Sequence, residues 1–514
     1  MSPKCKLANP ISEIVDKPRD QFTREDMLTV IQRRQIQWIT FHYSALDGKL
    51  KELKLPIADL KQAERILSDG ERVDGSSLFK GLVDVAVSDL YVVPVYKTAF
   101  LNPFDDGSLD FICRYLRPDG SLAPFTLDNT LLKAQQLLQK HHGLSLNALG
   151  ELEFFLLRDP DVAIYQSQRQ CGYHASGPFA KTGQILNEML YHITRITGAV
   201  KYGHNEVGYV DAVRSDLGEI KGKRAEQLEV EFLPTPVDEM GDHLVLARWL
   251  IRNIAFKYGC VATFTPKLEE GVAGNGLHVH TQLVEAQTGH SVMTDKSGKL
   301  SEQARKLIGG LCCYADSLTA FGNTVSGAYL RLVPNQEAPT RICWSDMNRS
   351  AMIRVPLGWS TVADLAKKIN PQQKSSYEAA ENRQTVELRS PDGSAIVQLL
   401  LAGIVMAADH GLSDPGSLEL AERLYVTGNI FKDREVLAKL PVLPGSCVES
   451  SRRLVEKREL YEREGVFQPS VIDYVARLLD AQADEHMNRR LGDLPADDRL
   501  HETRKIMHRD IHTH

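Results

Sequence analysis

The sequence predicts an α+β fold, in which helices and strands mix without a regular strand–helix–strand rhythm. Several short segments alternate polar and aliphatic residues with the period of two expected of strands that have one buried face. Other segments, such as residues 127–142, have the periodicity of amphipathic helices. A strand-rich part gives way to a mixed part near Pro124, and a chain of 514 residues is long enough for two domains.

The N-terminal part begins with residues 1–24, which are polar and are interpreted as a loose arm. The first predicted domain, residues 25–123, is rich in strand signals. Asp47-Gly48 is a strong signal for a hairpin turn between its first two strands. The predicted strands of this domain are residues 37–43, 49–55, 90–95 and 111–115.

The larger predicted domain, residues 124–514, contains most of the helix signals. Asp128 or Asn129 is a plausible N-cap for its first helix, and Gly143 follows the end of that helix. The predicted helices of this domain are residues 127–142, 183–197, 243–258, 306–318, 395–408, 454–464 and 471–481.

The composition, with 43% apolar and 25% charged residues, is that of a soluble globular protein. A net charge of −6 and the lack of a basic tract argue against nucleic-acid binding. The N-terminus has no apolar signal-peptide core, and the longest apolar run, residues 395–408, is too short to span a bilayer and predicts a core helix. The eight cysteines contain no C-x-x-C and fit reduced thiols. We therefore predict a cytoplasmic protein with no membrane or nucleic-acid partner.

The centre of the predicted site is residues 150–157, which read G-E-L-E-F-F-L-L and predict a buried strand. Side chains alternate across a strand, so Glu151 and Glu153 lie on one face. Buried carboxylates must be paired or liganded, and a hard divalent cation is a natural partner for their oxygens. The alternative interpretation is an ordinary amphipathic strand with a solvated face.

Three later segments repeat this alternation of polar and aliphatic residues. The polar pairs that share a face are Glu229 and Glu231, His278 and His280, and Glu387 and Arg389. Carboxylate and imidazole donors without cysteine favour Mg²⁺ or Mn²⁺ over a thiolate zinc site. Four such strands in one chain predict a sheet whose concave face is lined with metal ligands.

Four arginines form a second group of candidate site residues. Residues 331–356 are dense in arginine and proline and predict active-site loops. Arginine is permanently charged and presents a rigid fork that matches carboxylates and phosphates, and near Mg²⁺ it commonly stabilises a transferring phosphoryl group. Surface salt bridging is the alternative for any single arginine. The four residues, with Glu337 nearby, are Arg331, Arg349, Arg354 and Arg389.

The order and spacing of these motifs resemble the glutamine synthetase family, specifically its bacterial type I branch, over about residues 25–485. The motifs that carry the resemblance are V-D-G-S-S (73–77), S-D-L (88–90), G-E-L-E-F-F-L (150–156), H-N-E (204–206), E-Q-L-E (226–229), G-N-G-L-H-V-H (274–280), R-L-V-P-N-Q-E-A-P (331–339), N-R-S-A-M-I-R-V-P (348–356) and V-E-L-R-S-P-D (386–392).

The resemblance implies a β-grasp N-terminal domain and a catalytic domain with a curved antiparallel sheet flanked by helices. It also implies a dodecamer of two stacked six-membered rings, with active sites at subunit boundaries. Two or more Mg²⁺ or Mn²⁺ ions would bind per site, and ATP would be the co-substrate. By motif position, one ion would be held by Glu153, Glu206 and Glu229, and the second by Glu151, His278 and Glu387.

The resemblance also implies roles in substrate binding and catalysis. Arg331, Glu153, Ala273 and Gly274 would bind the amino-acid substrate, and His280, Arg349 and Arg354 would bind ATP. Arg349, Arg354 and Arg389 would act on the phosphates and the acyl phosphate. Glu337 would shield the intermediate and help to deprotonate the amine, and Asp74 would reach in from a neighbouring subunit to hold ammonium.

The sequence departs from the family pattern at several positions. Ala273 stands where the family usually has a substrate-contacting Asn, and Asn335-Gln336 replaces the usual Gly-Tyr. Glu206 and Glu229 are further apart than is usual, which implies an insertion near residues 208–224. Tyr425 lies near a position that is adenylylated in some type I enzymes, but its surroundings lack the acidic context of that site.

All six implied metal ligands are present, so we expect an active ATP-dependent ligase that makes glutamine from glutamate and ammonia. The first alternative is a γ-glutamyl ligase that uses another amine or a different carboxylate. A non-catalytic family member would be expected to lose metal ligands, and a guanidino kinase is disfavoured by the presence of both Asp74 and Glu337.

Overall fold

A computed structural model describes residues 5–161, 164–333, 338–358, 362, 364–377 and 383–513. It contains two β-sheets with helices packed around them, which confirms the predicted α+β class. None of the helices in these ranges is both long and apolar enough to cross a membrane. All eight cysteines are free thiols.

The smaller sheet has six strands in the order β2-β1-β6-β4-β3, with β5 on β6. β1 pairs with β6 in parallel and the other neighbours are antiparallel. The strands are β1 (Trp38–Ser44), β2 (Leu50–Pro56), β3 (Glu71–Asp74), β4 (Asp89–Pro94), β5 (Phe100–Leu101) and β6 (Ser108–Leu116). The sheet buries aromatic side chains such as Phe41, Phe111 and Tyr115 on its packed side.

The larger sheet has nine strands in the order β13-β14-β15-β12-β7-β9-β8, with β10 and β11 on β7. It is antiparallel as expected, apart from the parallel β13–β14 pair. The strands are β7 (Leu144–Arg158), β8 (Val200–Val210), β9 (Arg224–Phe232), β10 (Thr235–Pro236), β11 (Val261–Thr263), β12 (Leu277–Glu285), β13 (Trp344–Asp346), β14 (Ile353–Val355) and β15 (Val386–Leu388).

The helices cover the outer side of the large sheet and flank the small one. They are α1 (Pro10–Val15), α2 (Arg24–Arg34), α3 (Leu60–Asp69), α4 (Gly75–Leu78), α5 (Leu127–His142), α6 (Gly183–Thr197), α7 (Val237–Lys257), α8 (Glu302–Gly322), α9 (Ala328–Arg331), α10 (Leu365–Ile369), α11 (Val397–Ser413), α12 (Ser417–Arg423), α13 (Arg434–Lys439), α14 (Cys447–Glu456), α15 (Arg458–Glu462), α16 (Pro469–Asp480), α17 (Met487–Gly492) and α18 (Ala496–Arg509). α11, which contains most of the apolar run 395–408, is buried nearly all round between α5 and α8.

The N-terminal segment is not a loose arm in the part that the structure describes, which begins at residue 5. α1 buries Ile11 completely, and Asn9 caps the helix by accepting hydrogen bonds from Ile11 N and Ser12 N. Arg19 donates to the carbonyls of Lys97 and Thr197, so the segment is attached to both parts of the chain. A helix of only six residues, with one buried side chain, was too short a periodic signal to predict this attachment.

Three local predictions were wrong in detail. Thr126, rather than Asp128 or Asn129, occupies the N-cap of α5. The predicted helix 454–464 is divided into α14 and α15 at Lys457. The predicted loops at 331–356 contain two strands, β13 and β14, that extend the large sheet, because they find partners far away in sequence that local propensity cannot show. The domain boundaries after residues 24 and 123 stay predictions.

The implied insertion, residues 208–224, packs against the C-terminal end of the chain. Val213 and Ile220 are buried in a small second core, together with Val272 and Ile511. α18 lies beside it, since Val213 and Leu217 line one cavity together with Arg504 and His508 of that helix. The insertion is therefore a packed element next to the strands that carry the predicted metal ligands.

Candidate active site

The register of the large sheet brings the predicted polar residues into contact. β12 lies between β7 and β15, which places His278 directly opposite Glu151 and His280 directly opposite Glu387. On the other side of β7, Glu153 lies opposite Glu229 on β9. Residues two apart on a strand share a face, so the alternation in the sequence becomes one continuous polar surface.

The first cluster is centred on Glu151. Its two carboxylate oxygens lie 2.7 Å from Nδ1 of His278 and 2.9 Å from Nε2 of His280. The Nδ1 atom of His278 is also 3.8 Å from Glu387. Donor atoms of Glu151, His280 and Glu387 all lie within 4.8 Å of one another, which is close enough to share one cation. Both imidazoles, and not only the predicted His278, are therefore placed to act on a metal at this position.

The second cluster is formed by β8 and β9. Donor atoms of His204, Glu206 and Glu229 lie within 4.8 Å of one another, and Nε2 of His204 is 3.2 Å from Glu229. His204 was not predicted as a ligand, although H-N-E has the same spacing of two residues as the other four strands. That repetition is the signal that could have identified it.

Glu153, which was predicted to bind a metal and to contact the substrate, lies between the two clusters. One of its oxygens accepts hydrogen bonds from the backbone N–H of Gly276 at 2.8 Å and from Gln227 Nε2 at 3.1 Å. Its other oxygen would be 3.1 Å from a Cβ atom on Gly276, and His278 would be closer still. Gly276 is thus required because a side chain would occupy the space between Glu153 and His278.

The arginines meet the first cluster from the opposite side. Arg354 and Arg389 each donate to one oxygen of Glu387, at 2.9 and 3.0 Å. Arg331, the last residue of α9, donates to the carbonyl oxygens of Ser390 and Arg389, at 3.0 and 3.4 Å. These bonds fix the guanidinium groups before any ligand binds, which reduces the entropic cost of binding an anion.

These groups surround a single cavity of about 460 Å³. Ala273 and Gly274 contribute its rim, and Gly274 has no room for a side chain because a Cβ atom there would lie 2.3 Å from the carbonyl oxygen of Pro266. The predicted site residues that line the cavity are Glu151, Glu153, Glu206, Glu229, Ala273, Gly274, His278, Arg331, Arg349, Arg354, Glu387 and Arg389. Tyr173 and Tyr202 also line it and were not predicted.

The electrostatics of the cavity are those of carboxylates held close together. Burial raises the pKa of Glu229 to about 8; repulsion from Glu151, Glu153 and Glu206 adds to the rise, and His204 opposes it. Burial also raises the pKa of Glu153. Burial acts in the same direction on Glu151, but hydrogen bonds from His278 and His280 outweigh it and leave the pKa well below its usual value. Bound divalent cations would offset the repulsion between these carboxylates, since they would be the largest local charges.

Three predicted site residues lie apart from the cavity wall or outside the described structure. His280 is in the layer beneath the wall, where Nδ1 lies 3.0 Å from Thr385 Oγ1. Asp74 is exposed at the start of α4, where hydrogen bonds from Ser77 and Ser76 lower its pKa to about 2. Glu337, with Asn335 and Gln336, lies outside the described residues. The roles predicted for Asp74 and Glu337 stay predictions.

Two family models match the chain. The model described as glutamine synthetase, catalytic domain, matches residues 129–490, and the model described as glutamine synthetase, β-grasp domain, matches residues 35–118. The second match confirms the predicted β-grasp domain, and the first covers the strands and arginines of the cavity.

Curated relatives match along most of the chain. The glutamine synthetase of Methylococcus capsulatus is 28% identical over 505 residues, 92% of this chain and 98% of that protein. Those of Thermotoga maritima and Escherichia coli are 29% and 28% identical, over 84% and 88% of this chain and 90% and 94% of those proteins. Among solved structures, a GmaS–ADP complex and ligand-free GmaS are 18% and 17% identical, with TM-scores of 0.68 and coverage of 92% of this chain and 98% of theirs, which shows a shared fold.

Proposed function

The chain belongs to the glutamine synthetase family and is an ATP-dependent ligase that forms C–N bonds, and we propose that it joins glutamate to ammonia. The observation that carries the proposal is the cavity, in which two carboxylate–imidazole clusters face four arginines across about 460 Å³. That arrangement suits a reaction in which an anionic acid is phosphorylated by an anionic nucleotide.

The donor set fits the Mg²⁺ or Mn²⁺ ions that the family uses. The carboxylate oxygens suit these ions, neither cluster contains a thiolate, and the donor atoms in each cluster are within 4.8 Å of one another. Glu151, His278, His280 and Glu387 would hold one ion, and Glu153, His204, Glu206 and Glu229 the other. Bound there, the ions would neutralise charge on the phosphates.

The first step that we propose activates the acid. The γ-carboxylate of glutamate takes the terminal phosphoryl group of ATP, which releases ADP and forms γ-glutamyl phosphate. Arg331 binds the α-carboxylate of the substrate, while Arg349, Arg354 and Arg389 donate to phosphate oxygens. Their prior hydrogen bonds to Glu387 and to backbone carbonyls orient the guanidinium groups for this task.

The second step that we propose forms the amide. Bound ammonium first loses a proton to a carboxylate, the resulting ammonia attacks the acyl carbon, phosphate leaves, and the attacking nitrogen then gives up a second proton. Asp74 of a neighbouring subunit holds ammonium in this proposal, since its lowered pKa keeps it an anion at all ordinary pH values. Glu337 shields the intermediate from water and accepts the proton. The proposal includes a dodecamer of two six-membered rings with shared sites, as the resemblance to the family implies. Ligase activity in a fraction that sediments as a monomer would contradict the shared site.

A second candidate uses a larger amine in place of ammonia. A further cavity of about 260 Å³ adjoins the site, shares Glu206 with it, and is lined by Cys171, Phe179 and Tyr209 among others. Ammonia needs no such space, whereas an alkyl or aryl amine could place its carbon atoms there. Ala273, at the rim, removes a polar contact that the family usually makes to the acid.

Phosphate release by the purified full-length chain, with Mg²⁺ and ATP, tests both candidates across a panel of acids and amines. The proposal predicts the highest kcat/KM for glutamate with ammonia. A larger amine that gives a higher kcat/KM at equal glutamate would favour the second candidate. Phosphate release that depends on neither the acid nor the amine would contradict both candidates.

A further inference from the structure

A second group of potential metal ligands lies away from the catalytic cavity, where α5 and α11 end side by side. We call it the His–His–Asp cluster. It consists of His141 and His142 at the end of α5 and Asp409 in α11. None of these three residues lines the catalytic cavity.

The donor atoms of this cluster converge on one carboxylate oxygen. Nδ1 of His141 is 2.9 Å from Oδ1 of Asp409, and Nε2 of His142 is 3.2 Å from the same oxygen. All three donor atoms lie within 4.8 Å of one another. Two ligands that each lie about 2.1 Å from one zinc ion, at tetrahedral or octahedral angles, are themselves roughly 3–3.4 Å apart. The two histidine–aspartate distances therefore fall in the range of ligand–ligand distances around one ion.

The residues around the cluster orient it as the outer shell of a metal site does. Nε2 of His141 lies 2.7 Å from Glu464 Oε1, so its two ring nitrogens each face a carboxylate. Oδ2 of Asp409 is 2.6 Å from Nη2 of Arg463, which fixes the carboxylate. Carboxylates behind ligating histidines and hydrogen bonds to ligating carboxylates are typical of metal sites.

The backbone supports this outer shell. Glu464 has φ 50, a left-handed conformation that is uncommon for residues other than glycine. Lys140 Nζ lies 2.8 Å from Glu464 Oε2, and Lys133 Nζ donates to the carbonyl oxygen of Gly465 at 2.6 Å. The turn is thus held where Glu464 reaches His141. Asp409 is fully buried, whereas the His141 and His142 side chains are 29% and 19% exposed, so a cation can reach the cluster from solvent.

We propose that the His–His–Asp cluster binds one Zn²⁺-like transition-metal ion per chain, separately from the catalytic cations. Two imidazole nitrogens and one carboxylate favour such an ion over Mg²⁺, which prefers oxygen ligands. The ion joins the ends of α5 and α11 and stabilises the folded chain. A proton on His141 is the competing occupant of the same space.

Equilibrium dialysis of the full-length protein against Zn²⁺, in saturating Mg²⁺, tests the proposal by metal analysis. The variant His141→Gln/His142→Gln should bind one Zn²⁺ per chain fewer than wild type, and Zn²⁺ should raise the Tm of wild type more than that of the variant. His290→Gln changes an exposed histidine elsewhere and serves as the matched control, with wild-type binding expected. Ligase activity in Mg²⁺ should be equal in all three proteins.

The Glu464→Gln variant separates ligation from the outer shell. It keeps all three ligands but replaces the carboxylate behind His141 with an uncharged amide. Zn²⁺ should therefore bind this site about 10- to 100-fold more weakly, with unchanged stoichiometry. Equal Zn²⁺ content in wild type and in His141→Gln/His142→Gln would overturn the proposal. The cluster would then be a hydrogen-bond network in which a proton on His141 occupies the space.

Discussion

Two regions of this molecule bury charged groups in opposite ways. At the junction of the two sheets' domains, Arg114 on β6 donates to both oxygens of Asp242 on α7, at 3.1 and 2.6 Å, and lies 3.8 Å from Asp128. In the cavity, Glu153 instead lies opposite Glu229, with Glu206 nearby, so carboxyl groups face each other. A buried bidentate pair is costly to break because the remaining charge loses its partner, whereas facing carboxylates are tolerated where a ligand completes the charge balance.

Metal removal is the largest expected effect on the cavity. In excess EDTA, phosphate release with any acid and amine should fall to background, because the carboxylates would repel the phosphates without their cations. The junction needs no ion, so the cooperative unfolding transition should persist. Activity and thermal unfolding, measured on the same sample before and after Mg²⁺ is restored, check both parts. Full activity in EDTA would contradict the cavity's assignment.

Asp242→Ala should destabilise the junction without changing the chemistry. It leaves the buried Arg114 without its bidentate partner, so the free energy of unfolding should fall by about 3–5 kcal/mol. Denaturant unfolding measures the loss, and turnover per folded chain should stay at the wild-type value. Asp89→Ala, which removes the exposed partner of Arg72, is the control and should cost less than about 1 kcal/mol. If Asp242→Ala and Asp89→Ala lost the same free energy of unfolding, the buried Arg114–Asp242 pair would contribute no more than an exposed ion pair.

Glu229→Gln should have the opposite profile. Turnover should fall by about 100-fold, which corresponds to ~2.7 kcal/mol, because one metal ligand is weakened. Stability in the absence of metal should be unchanged or higher, since the substitution removes repulsion from Glu151, Glu153 and Glu206. Steady-state kinetics and thermal unfolding of the metal-free variant check the two halves. Glu285→Gln, at the exposed end of β12, should match wild type in both assays.

Ala273→Asn should have the smallest effect and concerns the rim of the cavity. An amide side chain offers a donor and an acceptor that alanine lacks, so KM for glutamate should fall about 5-fold, which corresponds to ~1 kcal/mol. KM for ATP should not change, which is the internal control. If wild type already saturates at ordinary glutamate concentrations and the variant behaves identically, the polar contact that Ala273 lacks makes no difference to glutamate binding.

Much of the site was predictable because it lies on strands. The spacing of two residues in E-L-E, E-V-E, H-V-H and E-L-R fixes which side chains share a face, and eleven of the implied site positions together with Ala273 line the cavity. His204 has the same spacing. It was missed because only Glu206 of the H-N-E motif was predicted to be a ligand. Tyr202 stands two residues before His204 and continues the same spacing, whereas Tyr173 gave no periodic signal. They reach the cavity from segments that are brought there by pairing with, or packing against, distant strands.

The sequence by itself determined the α+β class, the position of the five longest helices, the polar face of each central strand and the family. These follow from local spacing and from motif order, and both are properties of a linear chain. Only the tertiary structure decided that Glu151 meets two imidazoles, that Glu229 faces Glu153, and that His141, His142 and Asp409 converge 268 residues apart in sequence. The reason is that cross-strand register and helix packing are set by contacts between distant segments, and local periodicity carries no information about which partner a face will meet.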